Sequence, residues 1–254
     1  MFRVVIPARL ASVRLPGKVL RPIGGRPMLQ WVYERAANAG AQQVLIATDD
    51  ERIASAAGVF GAQAVMTAAT HLSGTDRIAE VARAANWSAD DIVVNLQADE
   101  PLMPAALIRQ VATLLESPPR ADIATLATPI GSVAELFDPN AVKVVCDAAG
   151  RALYFSRAPI PWNRAGAAAG PASQTDPSGA RRHVGLYAYR VGALLRLAAL
   201  PAGVLEMREQ LEQLRALESG LTICVADAHE APGPDVNTFA DLERVATLLT
   251  AASR

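Results

Sequence analysis

The chain alternates short runs of β-branched, wholly apolar residues with stretches whose apolar positions recur at helical spacing. Val4-Val5-Ile6 predicts a strand, and Met28 to Ala39 predicts a helix carrying Met28, Val32, Ala36 and Ala39 on one face. Val44 to Thr48 predicts a second strand, Glu51 to Gly58 a helix, Ala64 to Thr67 a third strand and Ile78 to Ala85 the next helix. Ile92 to Leu96 is a strongly apolar strand, and Pro104 to Leu115 is a helix entered through proline. Strands apolar on both faces and separated by helices imply an open, mostly parallel sheet covered on both sides, an α/β architecture.

After Asp122 the pattern changes. Val142 to Asp147 and Arg151 to Ser156 flank Ala148-Ala149-Gly150 and predict a hairpin. Residues 163–180 are rich in Gly, Ala, Pro and Ser and read as a mobile surface loop. His183 to Tyr189 predicts a strand, Val191 to Leu200 and Leu205 to Glu218 helices, and Leu221 to Ala226 a last strand. Thr238 and Asp241 form a T-x-x-D cap ahead of the final helix. With no repeats and no linker, residues 1–254 read as one domain, with a β-rich insertion at about 130–190.

Charge changes this picture only locally. The formal net charge is −1, which gives no global attraction to nucleic acid or an anionic membrane. Between Arg3 and Arg35, however, seven cationic side chains stand against one acid, Glu34. The first apolar run is broken at once by Pro7 and Arg9, unlike a secretory signal, and no later stretch is long and uncharged enough to span a membrane. Cys146 and Cys224 sit singly in apolar surroundings as free thiols. A cytoplasmic location is expected.

In an open parallel sheet, ligands bind outside the carboxyl ends of the strands. The first strand runs into Pro7-Ala8-Arg9, then Arg14, Pro16-Gly17 and Lys18; the second ends at Thr48-Asp49-Asp50; the fourth ends at Gln97-Ala98-Asp99-Glu100. A cationic loop beside an acidic cluster suits a metal-bound polyphosphate, with a solvated basic turn as the plain alternative. The loop matches neither G-x-x-x-x-G-K-[ST] nor G-x-G-x-x-G, and the second absence argues against a dinucleotide-dependent oxidoreductase. Ser73-Gly74-Thr75-Asp76-Arg77 opens a helix and reads either as an ordinary cap or as backbone donors for a base edge or phosphate.

Seven segments in order over nearly the whole chain resemble the 3-deoxy-manno-octulosonate (Kdo) cytidylyltransferase family: VVIPARLASVRLPGK, LSGTDRIAEVA, IVVNLQADEP, DPNAVKVVCDAAGRALYFSRAPIPW, RHVGLYAYR, LEMREQLEQLRALESG and APGPDVNTFADLERV. The resemblance implies a Rossmann-like fold of the nucleotide-diphospho-sugar transferase type, usually a homodimer paired partly through the β-rich insertion. It implies transfer of CMP from CTP to Kdo with release of pyrophosphate, with Mg²⁺, for lipopolysaccharide synthesis. Pro7, Ala8, Arg9, Arg14 and Lys18 would meet the nucleotide phosphates, and Ser73, Gly74, Thr75, Arg77 and Gln97 would surround the cytidine. Arg9, Lys18 and Asp99 would be catalytic, Asp99 binding Mg²⁺. Arg157, His183, Tyr187, Glu212 and Gln213 would hold the sugar acid.

Two positions depart from the family's pattern. Ala98 stands where glycine usually precedes the metal aspartate, and a methyl there would crowd the nucleotide. Asn237 stands where a second metal-binding aspartate is usual; an amide oxygen brings no charge, so a second Mg²⁺ would bind more weakly unless Asp235 turns inward. These departures keep open a related sugar acid (an amino-Kdo or a nonulosonate) as acceptor, or a turnover-deficient nucleotide-binding relative.

Overall fold

The computed structural model describes residues 1–12, 14–116, 121–164 and 170–252. The first half runs β1 (Phe2–Ala8), the short pair β2 (Pro22–Ile23) and β3 (Arg26–Pro27), α1 (Met28–Ala37), β4 (Gln43–Thr48), α2 (Glu51–Val59), β5 (Gln63–Met66), α3 (Gly74–Ala84), β6 (Ile92–Asn95) and α4 (Ala105–Leu114). The second half runs β7 (Ile123–Pro129), α5 (Val133–Phe137), β8 (Lys143–Cys146), β9 (Ala152–Ser156), β10 (Arg181–Arg190), α6 (Val191–Ala199), α7 (Val204–Glu209), α8 (Gln213–Glu218), β11 (Ile223–Asp227) and α9 (Phe239–Ala252).

The main path of the sheet is β11-β7-β10-β6-β1-β4-β5. Pairings of β1 with β4 and β6, of β4 with β5, and of β7 with β11 are parallel. β10 is antiparallel to both its neighbours, β6 and β7, so the sheet is mostly parallel and open, as the pattern of apolar runs predicts. Val4, Ile6 and Ala8 of β1 pack into the core under α1, α2, α4 and α9, whereas Val5 packs under α3, α6 and α8. Both faces of the central strands are therefore buried. From β1 the chain moves to β4 on one side and later returns to β6 on the other, so a crevice opens between the ends of β1 and β6.

Three local outcomes differ from the periodicity. β7 lies in a stretch to which the pattern assigns no element, because its two alanines are weak strand formers and its polar threonines interrupt the apolar run; burial between β10 and β11 makes it a strand. α3 begins at Gly74, four residues ahead of the apolar start at Ile78, because the Ser73 hydroxyl accepts from Asp76 N–H at 3.1 Å. The single helix predicted over Leu205 to Glu218 is broken into α7 and α8 at Gln210, which has φ 55°. No glycine or proline marks that break. It arises where the Arg157 guanidinium takes the carbonyls of Glu209 and Gln210 at 2.7 and 3.4 Å.

The hairpin of β8 and β9 forms as predicted and joins the main sheet where Lys143 meets Arg182 of β10. β10 itself lies in the middle of the sheet. Of the loop predicted over 163–180, residues 165–169 lie outside the described residues; Gln174 ties the remainder down by donating to Asn163 O at 2.8 Å. The T-x-x-D cap of α9 forms, Thr238 Oγ1 donating to Asp241 at 2.8 Å and accepting from Asp241 N–H at 3.2 Å. Both cysteines are free, and burial raises the Cys224 thiol to about 11, which leaves it inert. Among the described residues no helix is long and apolar enough to cross a membrane.

Candidate active site

Parallel pairing places the ends of β1, β4 and β6 on one edge, and the chain segments leaving them build the site. After β1 the basic loop is pinned by Leu15 and Val19, 4 % and 2 % exposed, so its cations are held outward by a buried apolar anchor. Gly17 closes it at φ 66°, a left-handed conformation that suits glycine, and donates to Leu10 O at 3.2 Å. Lys18 Nζ then reaches across to Asp99 Oδ2 at 2.6 Å and to the Val236 carbonyl at 3.2 Å. An ammonium has three donors, so one remains for a ligand. Arg9 is exposed and makes no ion pair among the described residues.

The cleft between this loop and the end of β6 holds about 650 Å³, lined among others by Pro7, Arg9, Arg14, Lys18, Gln97 and Asp99. Its far wall is the segment before α9. Val236 N–H donates to Asp99 O at 2.9 Å, which stitches that segment to the β6 end. Arg14 donates to Asn237 Oδ1 at 2.7 Å, and the Asn237 amide donates to Asp235. Asn237 thus bridges a cation and a carboxylate. Ala98 lines the cleft but is 6 % exposed, packed into the core. Ala8 is likewise core, 1 % exposed, and is not among the described residues lining the cleft.

The helix opening at Ser73 packs against β1 so closely that a Cβ on Gly74 would sit 3.0 Å from Pro7 Cγ. That contact explains the glycine and brings the α3 N-terminus to the cleft. Ser73 Oγ also donates to Glu212 at 3.1 Å. Arg77 is placed differently from the cytidine role the resemblance implies. It is 3 % exposed, donates to Thr67 Oγ1 and pairs with Asp49 at 3.3 Å, so it fastens α3 to the ends of β4 and β5. The acids after β4 are also structural: Asp49 holds Arg77, and Asp50 caps α2 by accepting from Arg52 N–H at 2.9 Å.

Two smaller cavities adjoin the cleft, and Gln97 lines all three. One, of about 90 Å³, is lined by Thr75, Asn95, Tyr187, Tyr189, Glu212 and Gln213 among others. The Tyr187 hydroxyl there is buried without a partner, and burial raises its pKa well above the usual phenol range. Burial also raises Glu212, against the pull of Arg215. The other cavity, of about 350 Å³, shares Asp99 with the cleft and includes Glu100, Asn140, Arg182, His183 and Asp235. Burial lowers His183 to about 3, so the imidazole is neutral at physiological pH; its Nε2 lies 3.0 Å from Thr125 Oγ1 and its ring packs 5.1 Å from those of Phe155 and Tyr187. Glu100, buried beside Asp99 and Asp235, rises to about 8.

Arg157 lies apart from these groups. It lines a wider open cleft with Arg14 and Asn237, and its guanidinium is spent on the carbonyls of Pro139, Glu209 and Gln210. Glu209, absent from the sequence-derived set, is the hub here. Burial works against its charge, but donation by Ser156 at 2.6 Å and Arg157 N–H at 2.9 Å keeps its pKa below the usual range. Asn95, Tyr189, Arg182 and Asn140 are further lining residues that the sequence did not single out; only their neighbours in space distinguish them from ordinary strand and loop residues.

A cation-lined cleft at the switch point of an open α/β sheet, with a carboxylate at its floor and an acceptor cavity beyond, is the arrangement of a nucleotidyltransferase. A family model described as cytidylyltransferase matches residues 3–223. The chain belongs to that family. It is 54% identical over 250 residues to the 3-deoxy-manno-octulosonate cytidylyltransferase of Thioalkalivibrio sulfidiphilus (strain HL-EbGR7), covering 98% of this chain and 99% of the relative. Identity to the protein of the same name from Cellvibrio japonicus (strain Ueda107) is also 54% over 250 residues, with 98% of each chain covered. Among solved structures, a CMP:2-keto-3-deoxy-manno-octonic acid synthetase complexed with CTP superposes with a TM-score of 0.89 at 41% identity, covering 99% of this chain and 100% of that one. A 4-diphosphocytidyl-2C-methyl-D-erythritol synthase, 12% identical with a TM-score of 0.63 and 97% of each chain covered, shares the fold.

Proposed function

We propose that this chain transfers CMP from CTP to 3-deoxy-manno-octulosonate, giving CMP-Kdo and pyrophosphate, with Mg²⁺, as a cytoplasmic step toward lipopolysaccharide. The observation that carries the reading is the position of Gln97 and Asp99. Both line the cationic cleft and the acceptor cavity beyond it, so a phosphate and an attacking hydroxyl can meet there. The relatives' names supply the two substrates.

The reaction this arrangement supports is a direct displacement. The anomeric hydroxyl oxygen of the sugar acid forms a bond to the α-phosphorus, the bond from that phosphorus to the bridging oxygen breaks, pyrophosphate leaves and the hydroxyl proton passes to solvent. Among the described residues no side chain in the cleft is paired as a nucleophile with a base, so catalysis rests on positioning and on charge. Arg9, Arg14 and the remaining donor of Lys18 neutralise the phosphates, the guanidiniums as planar forks and the ammonium as a compact charge. Gln97 presents an amide at the junction of the three cavities.

Mg²⁺ fits the donor set. Among the described residues no cluster of three or more His, Cys, Asp or Glu could hold a metal alone. Mg²⁺ is commonly held by one or two carboxylates together with substrate phosphates, and Asp99 provides the first of these, with the Asn237 amide oxygen or Asp235 nearby. Bound there, the ion would neutralise phosphate charge and acidify the attacking hydroxyl. Exposed apolar side chains on the adjoining β9 and α7, Leu153, Val204 and Met207, support a homodimer contact on that side.

A pyrophosphate-release assay with CTP, a panel of 2-keto sugar acids and a Mg²⁺ titration tests the reading. Release with 3-deoxy-manno-octulosonate is the expected result. Release only with an amino-Kdo or a nonulosonate would replace the acceptor, and tight CTP binding with no release from any acid would overturn the activity. Sedimentation of wild type against a Leu153→Glu, Met207→Glu double variant tests the dimer.

A further inference from the structure

Resting on the cytidylyl-transfer reading above, we infer that Arg182, with Asn140 beside it, is the cation that receives the carboxylate of the sugar acid, and that Arg157 is a fastener of the acceptor wall. The first argument is chemical. In a 2-keto sugar acid the carboxylate and the anomeric hydroxyl are attached to the same carbon. If that hydroxyl attacks phosphorus beside Asp99, the carboxylate sits within one carbon of it, and its cation must line the cavity that contains Asp99. Arg182 lines that cavity, together with Asn140 and His183. Arg157 does not; it lines the neighbouring open cleft.

The second argument concerns which guanidinium is available. Arg157 donates through Nε to Glu209 O at 2.7 Å, through Nη1 to Pro139 O at 2.8 Å and through Nη2 to Gln210 O at 3.4 Å. Its own carbonyl accepts from the wholly buried Lys143 at 2.7 Å, and its N–H donates to Glu209. These bonds close β9 onto the α7–α8 break, and the three made by the guanidinium are lost if the side chain swings away. Arg182 is 51 % exposed, and its ion pair is to Glu135 at 3.5 Å, beyond good hydrogen-bonding geometry. It can turn to a carboxylate at little cost.

The third argument is charge balance. The cavity contains the carboxylates of Asp99 and Asp235, and His183 beside them is neutral at physiological pH. An anionic substrate entering it needs a cation, and Arg182 is the single one among its described lining residues. Asn140, held in place by its N–H to Asp138 Oδ1 at 2.8 Å, supplies a neutral donor alongside. Carboxylate recognition by a planar fork and an amide is the geometry for which arginine is suited.

The test compares Arg182→Met, Arg182→Lys and Arg157→Met in the pyrophosphate assay, using the sugar acid and its carboxamide. Arg182→Met should raise the KM for the acid roughly 10- to 100-fold, as expected for losing a charge-assisted pair, with the KM for CTP unchanged. It should also erase the preference for acid over carboxamide, which Arg182→Lys restores in part and Arg157→Met retains. Arg157→Met should instead lower the melting temperature. Calorimetric binding of the acid in the presence of a non-reacting CTP analogue should follow the same order. A preference for the acid that survives in Arg182→Met, or is lost in a normally melting Arg157→Met, overturns the inference alone. A wild type that turns over no sugar acid overturns the activity and this inference with it.

Discussion

The two sides of the site are built by different means. The nucleotide side is one continuous loop on a buried apolar anchor, with Arg9 in no ion pair among the described residues and Lys18 holding one donor in reserve. The acceptor side is assembled from β10, the hairpin and the α7–α8 break. Several of its polar groups are already engaged, His183 with Thr125, Glu212 with Ser73 and Arg157 with three carbonyls, while the buried Tyr187 hydroxyl and the loosely paired Arg182 are left for a ligand. A triphosphate carries enough charge to be held by open cations, whereas a many-hydroxyl acid must be read by groups whose orientation is fixed beforehand. The contrast predicts that changes on the first side act on rate, and changes on the second act on stability and selectivity together.

Asp99 belongs to both sides, so its loss should be the most costly. Asp99→Ala should lower turnover by about 10²- to 10³-fold, the range for removing a main electrostatic element, while CTP still binds. Pyrophosphate release at saturating substrates and Mg²⁺ measures this; near-normal turnover would detach Asp99 from the chemistry. Next in size is Arg77, which the resemblance places at the cytidine and the structure places in the core. Arg77→Met leaves Asp49 and Thr67 facing an apolar side chain and should destabilise the fold by about 3 kcal/mol, read as a lower urea midpoint. Unchanged stability with a raised KM for CTP would return Arg77 to the nucleotide.

This difference also decides what was legible from the sequence. The loop could be read because its cations cluster within a few residues and follow an apolar strand, and Asp99 because it ends another such strand. Parallel pairing then brings them together. The packing of Arg77 and Arg157 could not be read. A guanidinium facing a phosphate and one clamping carbonyls are the same letter, and only the packing of α3 on β4, or of β9 on α7, separates them. The break at Gln210 was invisible for the same reason: local propensity favours an unbroken helix there, and Arg157 wins by capturing its carbonyls. β7 carries no apolar run to mark it, since alanine and threonine dilute its Ile and Leu, and it becomes a core strand only between its neighbours.

His183 allows the acceptor side to be examined without turnover. Burial holds its folded pKa near 3 against an ordinary value of 6.5. As pH falls below 6.5 the unfolded chain takes up a proton that the native site refuses, so stability present at pH 7 is lost progressively toward pH 3. Over the range from pH 7 to 5.5 this single group should cost about 1 kcal/mol. His183→Gln, which keeps a partner for Thr125, should flatten that part of the stability profile. Equal slopes in the two proteins would mean that the imidazole is already open to water.

The smallest expected effect lies where the two sides meet the last segment. Asn237 accepts from Arg14 at 2.7 Å and donates to Asp235, so an amide there satisfies both a cation and an acid. Asn237→Asp adds one negative charge to the cleft but sets it against Asp235 and beside Arg14, which compensates much of it. The half-saturating Mg²⁺ concentration should fall by roughly two- to fivefold, the equivalent of less than about 1 kcal/mol for a solvent-facing charge pair. Turnover at saturating Mg²⁺ should stay level, because Asp99 and the phosphates carry the main load. A wild type that binds CTP but releases pyrophosphate only after Asn237→Asp would reverse this weighting. The acid would then be indispensable, and the amide would mark a chain that keeps the nucleotide side of the site while having lost the use of the other.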